Sequence, residues 1–239
     1  MCGIIGYVGP REAKTVVVDG LRRMEYRGYD SAGVAIVADG SVEIRKKQGK
    51  LSNLEAELAE HPLAEASVGI GHTRWATHGA PTDVNAHPHR SANGRVALVH
   101  NGIIENFATL RAELEDDGVH FVSETDTETA AQLLGRELDR GATLVDGMRA
   151  VCNRLEGAFT LVAVDAEHPE RIVAARRNSP LVVGVGEGEM FVASDVAAFI
   201  EFTRDAVEMG QDQVVEVTRE GYEVTDFDGN PGPSKPFHV

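Results

Sequence analysis

The sequence predicts an α+β protein in which sheets share a helical layer. Short apolar or alternating runs dominate the chain up to Val99, helical spacings fill residues 106–155, and short apolar runs return from Ala158 to Phe227. Strands, a block of helices and strands again suggest sheets sharing a helical layer. No internal repeat is present. With 239 residues, 42% hydrophobic and 26% charged, the chain has the make-up of one large or two small globular domains and can bury a sizeable core.

The first element is a strand over Gly3, Ile4, Tyr7 and Val8. Removal of Met1 would leave Cys2 carrying a thiol, pKa about 8.5, and a free α-amine, pKa about 7.7–8.0, so one residue would hold a nucleophile and a base. A strand directly after it would fix the terminus. On these residues alone, Cys2 is equally the second residue after a start Met.

Apolar spacing at Ala13, Val16, Val17, Leu21 and Met24 predicts a helix over residues 12–25. Residues 26–33, with two glycines and an Asp-Ser pair, read as a loop before a buried strand over 34–38. Asp39-Gly40 signals a hairpin into a half-exposed strand with Val42, Ile44 and Lys46. A short helix opened by Ser52 covers 51–60. The apolar stretch 67–71 runs into His72-Thr73-Arg74-Trp75-Ala76-Thr77-His78-Gly79, a dense polar and aromatic set at a strand end. Residues 85–89 read as a turn, and the strand over 95–99 ends in His100-Asn101-Gly102, so two strands deliver polar groups at their ends.

Helices are expected over 106–117, from an N-cap at Ser123 to about Arg140, and over 143–155. In the last, Leu144, Met148, Val151, Cys152 and Leu155 form one apolar stripe, which makes Cys152 a core residue. Strands are expected over 158–164, 171–175, 181–185, 190–193, 213–217 and 222–227. The Pro- and Gly-rich tail has linker composition and no closing element.

Composition narrows the function. The balance of 23 Lys+Arg against 38 Asp+Glu gives a net charge of −15 and argues against a nucleic-acid partner. No apolar run approaches the roughly 20 residues a membrane helix needs, and no signal peptide opens the chain, so a cytoplasmic protein without a membrane partner is expected. Cys2 and Cys152 lie outside any C-x-x-C, which indicates neither a disulfide framework nor a cysteine zinc site. The histidines His72, His78, His87, His89 and His100 invite a metal reading, but no thiolate joins them and H-E-x-x-H is absent. They are read as hydrogen-bonding the loops, and no metal or cofactor is expected.

Five stretches in order, Cys2-Gly3-Ile4, residues 25–33, 72–79, 99–106 and 124–128, closely resemble the glutaminase domain of glucosamine-6-phosphate synthases, which are class II glutamine amidotransferases. The resemblance spans nearly the whole chain. It implies the four-layer αββα sandwich of N-terminal nucleophile hydrolases. It also implies that Cys2 attacks the side-chain amide of L-glutamine and forms a γ-glutamyl thioester, with its α-amine as base once Met1 is gone. Asn101 and the Gly102 backbone N–H would form the oxyanion hole, Arg74 would hold the substrate α-carboxylate, and Asp126 would pair with its α-ammonium. Thr77 and His78 would help hold the carboxylate, Arg27 and Gly28 would brace the terminus, and Trp75 would gate ammonia release, with His87 in support. Residues 1–228 would be the glutaminase domain and 229–239 a linker toward sugar isomerase domains of a homo-oligomeric parent, the isolated domain being a monomer. Fructose 6-phosphate would be the parent's acceptor.

Two other readings stand beside this one. Another class II amidotransferase would share Cys2 and the oxyanion pair, but would not be expected to show Tyr26-Arg27-Gly28-Tyr29 or Arg74-Trp75-Ala76-Thr77-His78. A non-catalytic glutamine-binding module would be favoured if Met1 stayed in place.

Overall fold

Continuous apolar runs and alternating runs sort onto different places in two sheets, because central strands are covered on both faces and edge strands are not. The computed structural model describes residues 2–77 and 79–239, so Met1 and His78 lie outside the described residues. Among the described residues the chain runs β1 (Gly3–Val8), α1 (Ala13–Arg23), β2 (Ser31–Ala38), β3 (Ser41–Gln48), α2 (Leu51–Glu60), β4 (Val68–Arg74), β5 (His89–Arg90) and β6 (Val96–Ile104). Then come α3 (Phe107–Asp116), α4 (Asp126–Asp139), α5 (Leu144–Arg154), β7 (Gly157–Asp165), β8 (Arg171–Arg177), β9 (Val182–Val185) and β10 (Met190–Ala193). The chain finishes with β11 (Asp205–Met209), β12 (Gln213–Thr218), β13 (Gly221–Asp226) and β14 (Ser234–His238).

One eight-stranded sheet has the order β14-β11-β9-β10-β1-β4-β2-β3, and a six-stranded sheet has the order β13-β12-β8-β7-β6-β5. Ile4, Val8, Ile70 and Val192 of the first sheet meet Val99, Val162 and Val215 of the second. The outer face of the first sheet, with Ile5, Tyr7 and Ile36, is covered by Val17 and Leu21 of α1 and Leu54 of α2. Across the molecule, Leu114, Leu134, Met148 and Cys152 of α3, α4 and α5 cover Leu98, Leu161 and Ala175. The layers are therefore α, β, β, α, and Cys152 is core as its stripe predicts.

Several boundaries differ from the sequence expectation, each for a tertiary reason. α1 stops at Arg23, and Glu25–Arg27 tighten into a 3-10 turn before Gly28 at φ +72°. β2 starts at Ser31, taking in residues expected in a loop, because Ala32 and Gly33 pair with β3 and β4. Gly33 is tolerated there for its lack of a side chain, since a Cβ would lie 2.0 Å from the His87 carbonyl oxygen. β4 runs on to Arg74 and β6 to Ile104, so His72, His100, Asn101 and Gly102 lie within paired strands, not beyond their ends. α2 takes no cap from Ser52; Lys50 holds the cap position, and the Tyr29 hydroxyl accepts from Leu51 N at 2.7 Å.

α4 is capped by Thr125 instead of Ser123: its hydroxyl accepts from Glu128 N at 3.3 Å, while the Glu128 carboxylate accepts from Val122 N and Ser123 N at 3.0 and 2.7 Å. The tail, expected to lack a closing element, supplies β14, which pairs with β11, a strand the sequence pattern did not reveal. β14 is an edge strand, and an edge accommodates Pro236, which has no N–H to give a ladder.

Replacing Gly33 with Ala forces the His87 segment off β2, and we expect a loss of about 1–3 kcal/mol in urea unfolding, the usual cost of overpacking. Gly221→Ala is the control: no atom lies within 4 Å of a Cβ built there, and its stability should change by less than about 0.5 kcal/mol. Equal effects from the two would refute the close-approach explanation.

Candidate active site

Cys2 is held in place by the strand that begins at the next residue. β1 lies between β10 and β4, and its first amides are taken by side chains: Gly3 N donates to Thr73 Oγ1 at 3.1 Å and Ile4 N to Ser194 Oγ at 3.0 Å. The Cys2 carbonyl accepts from Asn101 Nδ2 at 3.2 Å and from Arg27 Nη1 at 3.3 Å. Arg27 is itself fixed by an ion pair with Asp195 at 2.5 Å. The sulfur accepts from Trp75 N at 3.1 Å. Burial pushes the Cys2 thiol up, while the Trp75 N–H and the Arg74 charge pull it down and Asp30 pushes it up further. The thiol thus stays protonated near neutrality, and making it a nucleophile needs a base.

Cys2 opens onto a cavity of about 260 Å³ that Arg74, Trp75, Thr77, His87, Gly102 and Asp126 also line. That is a little below the roughly 300–1,000 Å³ common for ligand pockets, suited to a small metabolite. Arg74, at the end of β4, is 4% exposed and donates to the Gly79 and Ala80 carbonyls at 3.2 and 3.3 Å. Asp126, the first residue of α4, is also 4% exposed and accepts from Ile104 N at 2.9 Å. Opposite charges held in one small cavity suit a zwitterionic ligand.

Trp75 is exposed at the rim, and its ring lies 3.2 Å from where a Cβ on Gly28 would stand. Gly102 sits at φ +120°, and a Cβ there would be 2.0 Å from the Ala158 carbonyl oxygen, so the position demands glycine. Asn101 adjoins the cavity through the Cys2 carbonyl, and its Oδ1 meets His72 Nε2 at 2.8 Å. The expected carboxylate contact at His78 lies outside the described residues.

Beneath the cavity, His72 stacks on His87 with centroids 4.1 Å apart, and His87 stands edge-on to His89 at 5.0 Å. Thr127 Oγ1 lies 3.2 Å from His87 Nε2 and 2.9 Å from His100 Nδ1, and Thr125 Oγ1 lies 3.0 Å from His89 Nε2. Burial pushes His72 down to about 3 and His87 and His89 well below the ordinary value, so all three are neutral at pH 7. The Lys46 ammonium donates to the Val84, Ala86 and Pro88 carbonyls at 3.0, 2.7 and 3.1 Å and thereby ties the segment that carries His87 to β3. Burial lowers Lys46 to about 8, against the opposing pull of Glu128.

Sequence reasoning brought most of the cavity together and named Arg27, which meets the Cys2 carbonyl, but gave no role to several other supports. Asp30 accepts from Ala76 N at 2.6 Å and from the Ser31 hydroxyl at 3.1 Å, holding the segment after Arg74. Asp195, Ser194 and Thr73 hold the terminus. The signal was an Ala-Ser-Asp end on an apolar strand at 193–195, which resembles any strand exit. Thr127 lay inside the stretch 124–128 but showed no role there.

A sequence profile described as a glutamine amidotransferase domain matches residues 40–228. The chain belongs to that family. Curated relatives of this amidotransferase domain include the glutamine–fructose-6-phosphate aminotransferase [isomerizing] of Streptomyces coelicolor, 66% identical over 239 residues, 100% of this chain and 39% of that protein. The protein of the same name from Mycobacterium tuberculosis is 59% identical over 249 residues, 100% of this chain and 40% of its own length. The chain thus spans about two fifths of the curated relatives it matches. Among solved structures, glutamine phosphoribosylpyrophosphate amidotransferase from B. subtilis, complexed with ADP and GMP, superposes with a TM-score of 0.79 at 28% identity, covering 96% of this chain and 50% of that one. A protein from Silicibacter pomeroyi described as a glutamine aminotransferase class-II domain protein shares the fold at 18% identity and a TM-score of 0.59, covering 95% of this chain and 99% of that one. The amidotransferase domain therefore has the N-terminal nucleophile hydrolase fold that its motifs imply.

The buried histidines make this amidotransferase domain acid-sensitive. An unfolded histidine titrates near 6.5, while the folded chain keeps His87 and His89 neutral well below that and His72 to about 3. The unfolded state then binds more protons, so stability rises with pH across this window and falls as pH drops from 6.5, by up to about 1.4 kcal/mol per pH unit for each histidine. His89→Gln should make the slope of unfolding free energy against pH between 6.5 and 4.5 shallower; an unchanged slope would count against a neutral buried His89.

Proposed function

We propose that this domain hydrolyses L-glutamine to glutamate and ammonia through a γ-glutamyl thioester on Cys2 after loss of Met1. The observation that carries the reading is the Cys2 sulfur opening onto the same small cavity as buried Arg74 and buried Asp126. Arg74, with groups around Thr77 and His78, takes the α-carboxylate, and Asp126 takes the α-ammonium, so the amide end of the side chain reaches Cys2.

The Cys2 α-amine removes the thiol proton and the sulfur attacks the amide carbon, forming an S–C bond while the carbonyl electron pair moves onto oxygen. Asn101 Nδ2 and Gly102 N–H donate to that oxyanion. Collapse breaks the C–N bond, the ammonium of Cys2 returns its proton to the leaving nitrogen, and ammonia departs. Water, deprotonated by the same amine, then attacks the thioester, and breaking the C–S bond yields glutamate and the free thiol. Arg27 braces the Cys2 carbonyl, Gly28 leaves room for the Trp75 ring, His87 walls the cavity and Trp75 controls ammonia exit at the rim. No step calls for a metal or cofactor.

In the parent protein we infer that residues 1–228 supply ammonia for making glucosamine 6-phosphate from fructose 6-phosphate, with 229–239 leading to the sugar isomerase domains. The names and greater lengths of the S. coelicolor and M. tuberculosis relatives support this. We place the parent, a homo-oligomer, in the cytoplasm and expect the isolated domain to be monomeric. Among the described residues no helix is long and apolar enough to cross a membrane.

The direct test is glutamate and ammonia release by this chain, with Cys2→Ala inactive. Addition of fructose 6-phosphate should leave the rate unchanged, and stimulation would mean that the acceptor site lies inside these residues.

Arg74→Lys and Asp126→Asn should chiefly raise KM for glutamine, because each removes a ground-state contact. Asn101→Ala should lower kcat by roughly 100- to 1,000-fold with little change in KM, the usual worth of one oxyanion donor. An Asn101→Ala effect confined to KM would remove that assignment.

Retention of Met1 converts the Cys2 amine into a peptide N–H, which is not a base. Active preparations should therefore weigh one Met less than the full sequence, and a form made to keep Met1 should bind glutamine but scarcely turn it over. Intact-mass spectrometry beside the glutaminase assay decides this, since full activity from a Met1-bearing population contradicts the mechanism.

A further inference from the structure

We propose that His72 is a positioning residue that fixes which end of the Asn101 amide faces Cys2. The inference rests on reading Asn101 as an oxyanion donor and adds the device that aims it.

A side-chain amide presents an acceptor at one end and a donor at the other, and a half-turn exchanges them. Asn101 touches two partners. One is the Cys2 carbonyl oxygen, which only accepts, 3.2 Å from Nδ2. The other is His72 Nε2, 2.8 Å from Oδ1. With the amide nitrogen toward Cys2, Oδ1 needs a donor, and His72 must carry its proton on Nε2. The half-turned amide would set two oxygens against each other at Cys2 and withdraw the N–H₂ group from the attacking sulfur's side.

His72 is built to hold this orientation. It is fully buried, it pairs in register with Ile4 of β1 and Gly33 of β2, and it stacks on His87. The bond to Asn101 crosses from β4 of one sheet to β6 of the other. Burial also keeps the imidazole neutral, so it has one N–H to give. His72 is not among the residues lining the cavity, and it reaches Cys2, which is, through the Asn101 amide.

The experiment is a double-mutant cycle on glutamine hydrolysis by this chain. His72→Phe, a ring with no donor, should lower kcat by roughly 10- to 100-fold, below the cost of losing the oxyanion donor itself, with KM changed less than about 2-fold. His72→Gln, whose amide nitrogen lies where Nε2 does, should keep kcat within about 5-fold of the parent. In an Asn101→Ala background His72→Phe should cost almost nothing more, because the group it aims is gone. An equal kcat loss in both backgrounds, an effect confined to KM, or an unaffected His72→Phe enzyme would overturn the proposal and leave Asn101 as oxyanion donor standing. A normal kcat for Asn101→Ala alone would remove both. If His72→Phe does not fold, as judged by circular dichroism, His72→Asn, polar but too short to reach Oδ1, replaces it in the same comparison with the same outcomes.

Discussion

The structure depends on burial of β1 on both faces. Ile4 and Val8 turn into the space between the sheets, while Ile5 and Tyr7 turn toward α1. Fully burying one such side chain contributes about 1.5–3 kcal/mol, and the strand also bonds to a neighbour along each edge, so it does not fray as chain termini usually do. Cys2, one residue before it, inherits that rigidity. The same burial explains why the strand reads as nearly continuous hydrophobic sequence and why its first amides must be met by side chains such as Thr73 and Ser194.

From that strand the site spreads across both sheets. β4, beside β1, brings His72, Thr73 and Arg74; β6 of the other sheet brings His100, Asn101 and Gly102; and the start of α4 brings Asp126 and Thr127. The sandwich is thus what makes the cavity, since no single element carries both the cation and the anion. Histidines and threonines fill the space where the sheets separate beneath it. The imidazoles of His72, His87 and His89, packed against each other and kept neutral, form a polar floor tied to Asn101, Thr127 and Thr125.

The sheet ends are handled by different means. β14 covers the edge of β11 and carries Pro236 in an exposed position, a chemistry poorly suited to further pairing. At the other end β3 is an edge strand whose Lys46 turns back to cap three carbonyls of the 84–88 segment. One half-buried ammonium there replaces the strand pairing that an irregular segment lacks.

The sequence by itself determined the type of most elements, the core stripe of α5, the order of the polar stretches and, through five motifs, the family and most of the cavity wall. These are local properties: periodicity, turn chemistry and residue identity at fixed spacing survive without the fold. Tertiary structure alone decided where β2 begins and where β4 and β6 end, because a glycine or an asparagine enters a strand when a neighbour pairs with it, and that neighbour is remote in sequence. It also decided that the Pro-rich tail becomes β14, since only the open edge of β11 offers it partners. Asp30, Asp195, Thr127 and the link from His72 to Asn101 belong to the same class. Each acts through a partner between 27 and 168 residues away by hydrogen bonds that join separate elements, and such contacts leave no periodic trace in the chain.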